Sequence, residues 1–181
     1  MTTSTAQPIE LGHKAPVFGE LRGADGESYR LSSFDGSRVL AIVFISNGCP
    51  TVNIYNDRLI DLQRAYGIKG LQVVAINSNN PYLSPTDSHT EMVKRLNETG
   101  YNFPYLKDED GSVGRGYGAI STPHAFVFDG DRKLRYRGRI DDSRDPSNIT
   151  SHDLDDAVSA VLDGRVIEVP DTQPFGCAIV R

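Results

Sequence analysis

Cys49 and Cys177 are the two cysteines of the chain and its most reactive side chains. Cys49 lies between an apolar, β-branched run over 39–45 and a stripe of Val52, Tyr55, Leu59, Leu62 and Tyr66 at three- and four-residue steps. The run reads as a strand buried on both faces, and the stripe as an amphipathic helix ended by Gly67 and Gly70. Pro50 suits the first helical position, which puts the Cys49 sulfur at the helix N-terminus. There the unpaired N–H groups and the positive end of the helix dipole favour thiolate over thiol. A free cysteine titrates near pH 8.5, and such sites bring the value to roughly 3.5–7.5, which makes a nucleophile. Ligands of open α/β sheets gather beyond the carboxyl ends of strands, where Cys49 stands. The competing reading is a buried apolar filler.

Other chemistries find less support. The two cysteines form no C-x-x-C pair and His13, His89, His124 and His152 show no ligand spacing, so no metal or other cofactor is implied. Of the histidines, only His124, beside Pro123, is near the Cys49 site. Gly114-Arg115-Gly116-Tyr117-Gly118-Ala119 formally fits a dinucleotide fingerprint but follows no long strand. Asp108-Glu109-Asp110-Gly111 opens like a calcium loop, with glycine misplaced and Ala119 where glutamate is needed. Asp141-Asp142 and Asp155-Asp156 are adjacent pairs whose side chains diverge, unsuited to an acid/base dyad.

The elements that must hold Cys49 fit one domain: the chain has 181 residues, 38% of them hydrophobic and 24% charged. A net charge of −5 without a basic run argues against nucleic acid or an anionic membrane as partner. The longest apolar run is 39–45, far below the roughly 18–20 residues that cross a bilayer. No basic-then-apolar leader is visible, so a cytoplasmic location is expected. Residues 1–10 read as a mobile N-terminal arm, 11–164 as the domain and 165–181 as a tail carrying Cys177. Residues 18–21 and 28–31 flank the turn chemistry of Gly23 and Asp25-Gly26, an N-terminal hairpin. Residues 71–76 form a second buried strand, closing a right-handed βαβ unit. A helix carrying Met92, Val93 and Leu96, capped by Asp87 or Ser88 and stopped by Gly100, is expected to add a second helical layer. A short strand over 103–106 and a helical turn over 112–117 come next. Residues 125–128 and 134–140 then make an antiparallel hairpin around Asp129-Gly130, and a helix over 154–162 ends at Gly164.

Several motifs in this order resemble the redoxin branch of the thioredoxin-fold superfamily, the AhpC/TSA and peroxiredoxin-like subgroup. They begin with Gly12-x-x-Ala15-Pro16-x-Phe18, Leu31-Ser32-Ser33-Phe34-x-Gly36 and Asn47-Gly48-Cys49-Pro50-Thr51-Val52. The series continues with Val73-Val74-Ala75-Ile76-Asn77, Thr122-Pro123 ahead of Phe126-Val127-Phe128-Asp129, and Arg137-Gly138-Arg139-Ile140-Asp141-Asp142. The resemblance implies an α/β fold: a thioredoxin-like three-layer α/β/α domain with a mixed central sheet, an N-terminal β-hairpin and a peroxiredoxin-type insertion. It implies a cis Thr122–Pro123 bond facing Cys49, and a substrate groove drawn from Ser46, Pro50, Thr51, Thr122, Pro123, Arg137 and Arg139. Cys49-Pro50-Thr51 matches the peroxidatic cysteine step, and Ser46 either resembles the threonine that hydrogen-bonds to it or simply ends the strand.

The departures matter as well. Where a thioredoxin has its second cysteine this chain has Val52 on one side or Ser46 on the other, so a dithiol mechanism is unsupported by the local motif. Peroxiredoxins place an arginine just before the strand over 125–128, where this chain has Pro123 and His124. Arg137 or Arg139 is the candidate replacement, with plain surface charge as the alternative. By the same resemblance Cys177 resolves a Cys49 sulfenic acid, within the chain or across a homodimer, or else is an ordinary tail cysteine. A disulfide needs Cα atoms within about 7 Å, which the sequence does not supply.

The expected function is thiol-based oxidoreduction without a cofactor: peroxiredoxin-like, antioxidant reduction of a peroxide by Cys49. Recycling would run through Cys177 or an external electron donor, a thioredoxin or small thiol. A monothiol disulfide reductase or isomerase, with a disulfide substrate, is the enzymatic alternative, and a non-catalytic redox sensor or binding module the other.

Overall fold

A computed structural model describes residues 7–181. Its frame is a seven-stranded mixed sheet in the order β2-β1-β5-β4-β3-β7-β8. In chain order the elements are β1 (Leu21–Gly23), β2 (Ser28–Tyr29), β3 (Val39–Phe44), α1 (Pro50–Tyr66), β4 (Leu71–Asn77), α2 (His89–Thr99), β5 (Tyr105–Lys107), α3 (Ser112–Tyr117), β6 (Ser121–Thr122), β7 (His124–Phe128), β8 (Leu134–Gly138), α4 (Asp153–Leu162) and β9 (Cys177–Ala178). β3 runs parallel to β4 and antiparallel to β7, with Ile42 opposite Val74 on one side and Phe126 on the other. β1 and β2 form the expected N-terminal hairpin, shifted inward, since Phe18 precedes it and Leu31 already begins a 3-10 turn.

The alternation of β3 divides the core. Val39, Ala41 and Val43 face a cluster with Val52, Tyr55 and Leu59 of α1, Met92 of α2 and Leu154, Ala157 and Val158 of α4. Leu40, Ile42 and Phe44 face Val113 and Tyr117 of α3, together with Ile9, Phe18, Leu31 and Phe34. Each fully buried side chain of this size stabilises the fold by about 1.5–3 kcal/mol, so β3 is fixed from both faces. α2 therefore shares a face with α1, and the expected second layer is made instead by α3 and the N-terminal segment. Of the arm expected over 1–10, residues 1–6 lie outside the described residues, whereas Ile9 is buried and its carbonyl accepts from Arg137.

The tail over 165–181 is structured where the sequence showed only a tail. Pro170 and Thr172 exchange backbone hydrogen bonds with Arg137 of β8, Asp171 pairs with the Arg137 guanidinium at 2.7 Å, and β9 pairs with β6 in a separate two-stranded sheet. Its end is fastened too: Val180 donates to the Asn79 side chain and its carbonyl accepts from the Asn80 N–H.

Candidate active site

β3 delivers the chain into the loop Ser46-Asn47-Gly48, which leads to Cys49, the N-cap of α1, with Pro50 in the first turn. The loop is held by a buried polar network. The Asp87 carboxylate accepts from the Asn47 N–H at 2.7 Å, Asn77 at 2.8 Å, Asn79 at 2.9 Å and Ser84 at 2.6 Å. Burial would raise its pKa, but these four donors outweigh the desolvation and hold it below the ordinary carboxylate value. The Asn47 side chain is gripped as well, donating to the Thr86 carbonyl and accepting from the Tyr105 hydroxyl. Ser88, not Asp87, caps α2, and Asp87 instead fixes the approach to Cys49.

Cys49 is 1% exposed. Its sulfur lies 3.2 Å from the Thr122 carbonyl oxygen, which accepts from the thiol, and the Thr122–Pro123 bond beside it is cis. Cys177 is the other neighbour, its sulfur 2.6 Å from that of Cys49. The pairing of Thr122 with Cys177 across β6 and β9 produces this contact, although 128 residues separate the two cysteines. Gly176 makes the approach feasible: its φ is +151°, and a Cβ there would collide with the Thr122 carbonyl.

The electrostatics of the two sulfurs differ. Burial pushes the Cys49 thiol up, but the Cys177 thiol, the Thr122 hydroxyl and the N–H groups of Val52 and Cys177 hydrogen-bond to its sulfur and bring it below the ordinary value. Cys177 is raised to about 11 by burial and then by the hydrogen bond and charge of Cys49. The Thr51 N–H and the Arg144 guanidinium offset this only in part. The first proton to leave the pair is therefore that of Cys49, and Cys177 keeps the second.

The expected site residues divide accordingly. Cys49, Pro50, Thr51, Thr122, Pro123 and Cys177 meet at the N-terminus of α1. Ser46 is adjacent, but its hydroxyl bonds the Thr122 hydroxyl at 3.1 Å, so it orients the donor to sulfur instead of taking the peroxidatic threonine's place. Arg137 is spent on Asp171 and the Ile9 carbonyl, and Arg139 on Asp153 at 2.7 Å. Both guanidinium groups are thus engaged by carboxylates, not by either sulfur. His124 is buried, accepts from the Ile120 N–H and titrates at about 4, so it is neutral above that pH. Asp87, read from the sequence only as a possible helix cap, and Arg144 are the groups that the sequence did not connect with this site. A lone acid in a polar loop and an arginine 33 positions before Cys177 leave no spacing signal.

The arrangement is that of a thiol-based oxidoreductase: a lowered-pKa nucleophile with a second thiol in contact. Related proteins agree. The thiol-disulfide oxidoreductase ResA of Bacillus cereus is 24% identical over 131 residues, covering 72% of this chain and 70% of its own length. The thiol:disulfide interchange protein DsbE of Tatumella citrea is 27% identical over 129 residues, 70% of this chain and 64% of its own, so just under two thirds of that protein is spanned. Among solved structures, a hypothetical protein of Sinorhizobium meliloti 1021 is 39% identical, covers 96% of this chain and 95% of its own, and superposes with a TM-score of 0.87. Residues 10–158 match the family Redoxin, a span that leaves Cys177 outside. Since that span carries both the strand-to-helix turn bearing Cys49 and the cis-proline turn facing it, the chain belongs to the Redoxin family.

Proposed function

We propose that Cys49 and Cys177 are a redox couple for thiol–disulfide exchange, with Cys49 as nucleophile and Cys177 as resolving thiol. The observation that carries this is the 2.6 Å contact between the sulfurs, which supplies from the tail the second thiol that the local sequence lacks. The Cys49 thiolate attacks one sulfur of a substrate disulfide and expels a thiolate, which takes up a proton. Cys177 then loses its proton, attacks the Cys49 sulfur of the mixed disulfide and expels the second substrate thiolate. The protein has given up two electrons and holds a Cys49–Cys177 disulfide, which an external thiol, a thioredoxin-like protein or a small molecule, reduces.

A second reading, peroxide reduction, is favoured by the burial of Cys49, whose 1% exposure suits a small oxidant. The thiolate takes the distal peroxide oxygen, the alcohol or water leaves, and Cys177 attacks the resulting sulfenic acid with loss of water. Both routes converge on the same disulfide. Turnover driven by a thiol reductant, with a model disulfide and with dilute hydrogen peroxide, decides between them, using the wild type, Cys49→Ser and Cys177→Ser. Disulfide turnover abolished by either substitution supports the first reading. Peroxide turnover without disulfide turnover supports the second, and the absence of any Cys49–Cys177 disulfide after oxidation overturns both.

A further inference from the structure

Phe175, two residues before Cys177, is half-buried and packs against the same apolar cluster as Cys177. Its ring meets that of Tyr55 on α1 edge to face, centroids 6.2 Å apart, and the Arg144 guanidinium lies 5.2 Å from its centroid. Tyr55 is itself immobilised, since its hydroxyl donates to Asp141 at 2.9 Å and Arg58 covers its ring at 4.4 Å. Arg58 also pairs with Asp141 at 2.5 Å and donates to the Arg144 carbonyl at 2.9 Å, so one arginine ties α1 to the loop bearing Arg144. Tyr55 and Arg144 thus hold a single ring of the tail between them, and Arg58 and Asp141 hold those two in place.

We propose that Phe175 is the positioning residue of the redox couple: the clasp of Tyr55 and Arg144 on its ring sets the effective concentration of the Cys177 thiol at Cys49. A segment merely tethered by a flexible linker presents its end group at millimolar effective concentration, and fixing it in contact raises that value by orders of magnitude. The Gly176 backbone alone does not fix direction, because glycine is the most permissive residue of the chain. The ring before it removes that freedom. The inference rests on the two-cysteine reading above.

The test is the equilibrium of the full-length chain with oxidised and reduced glutathione, in which one oxidised glutathione yields the Cys49–Cys177 disulfide and two reduced ones. Phe175→Ala is expected to lower the equilibrium constant for the protein disulfide at least about tenfold, a rise of about 30 mV in reduction potential. Phe175→Tyr, which keeps the ring, should restore it to within about twofold, and Arg144→Gln should cost about threefold. A structural role alone would lower the melting temperature of the reduced protein without moving this equilibrium. If Phe175→Ala folds and its constant stays within about twofold of wild type, the proposal is overturned. If it does not fold, an unchanged constant in Arg144→Gln overturns it and a lowered one sustains it. Absence of the disulfide in the wild type overturns the two-cysteine reading and this proposal together, a result distinct from a disulfide that forms and ignores the clasp.

Discussion

Replacing Gly176 by alanine tests the contact that places the second thiol. The residue has φ +151°, and an added Cβ would overlap the Thr122 carbonyl oxygen while lying 2.9 Å from its carbonyl carbon and 3.2 Å from Cδ of Pro123. That same carbonyl stands 3.2 Å from the Cys49 sulfur. An L side chain held at such a φ costs about 1–3 kcal/mol. Relief by sliding β9 away from β6 forfeits at least one backbone hydrogen bond, about 0.5–1.5 kcal/mol. The sum is about 1.5–4.5 kcal/mol. It falls on the tail, because a two-stranded sheet at the end of the chain opens without unfolding the seven-stranded one. Expressed in the couple, Gly176→Ala should weaken the Cys49–Cys177 disulfide about 10- to 2000-fold, a rise of roughly 30–100 mV in reduction potential. Thiol counting by mass after equilibration in a dithiothreitol or glutathione buffer measures this, and the melting temperature of the reduced protein should move little. A potential within about 10 mV of wild type in a folded Gly176→Ala would refute the reasoning, since the sulfur contact would then not depend on the β6–β9 register.

Two further outcomes bear on the scaffold. Asp87→Ala leaves four donors without their acceptor in a fully buried site. It should cost about 3–5 kcal/mol in urea unfolding and raise the midpoint of the Cys49 thiolate absorbance by loosening Asn47; a loss below about 1 kcal/mol would contradict the network's role. His124 titrates at about 4 in the folded chain, lowered first by burial and then by Arg137, and Asp171 only partly offsets this. An unfolded histidine binds its proton near pH 6.5, so the unfolded state holds more protons between these values, and acidification from about 6.5 to 4 should remove about 3 kcal/mol of stability. His124→Gln should flatten that limb of the stability–pH curve, and an unaltered limb would count against the assignment.

The frame was legible because its signals are local. The two-faced run of β3, the stripe of α1 and the N-terminal position of Pro50 together placed Cys49, and each depends on residues within one element. The resemblance supplied the cis Thr122–Pro123 turn. What stayed hidden was relational. The strand at Cys177 is two residues long and exists only because β6 is there to receive it, so no periodicity could announce it. Arg137 and Arg139 looked available as cations because a sequence does not show that Asp171 and Asp153 stand within ion-pair distance. The face taken by α2 was likewise decided by packing against α1's cluster, which an apolar stripe does not specify.

The unequal surroundings of the two sulfurs also dictate where electrons enter the oxidised protein. An external thiolate must attack one sulfur and expel the other, and the leaving thiol of lower pKa departs faster. Cys49 is the lowered one and Cys177 is raised to about 11. Access points the same way, since Cys49 is 1% exposed whereas Cys177 is only half-buried. Attack at Cys177 therefore combines the reachable sulfur with the better leaving group, and attack at Cys49 combines neither. When the oxidised wild type is treated briefly with reduced glutathione and quenched in acid, the glutathione thiolate attacks Cys177, Cys49 leaves as the thiolate, and the trapped mixed disulfide should lie on Cys177. Equal amounts of trapped adduct on the two cysteines, located by mass spectrometry, would show that neither burial nor thiolate stability directs the exchange.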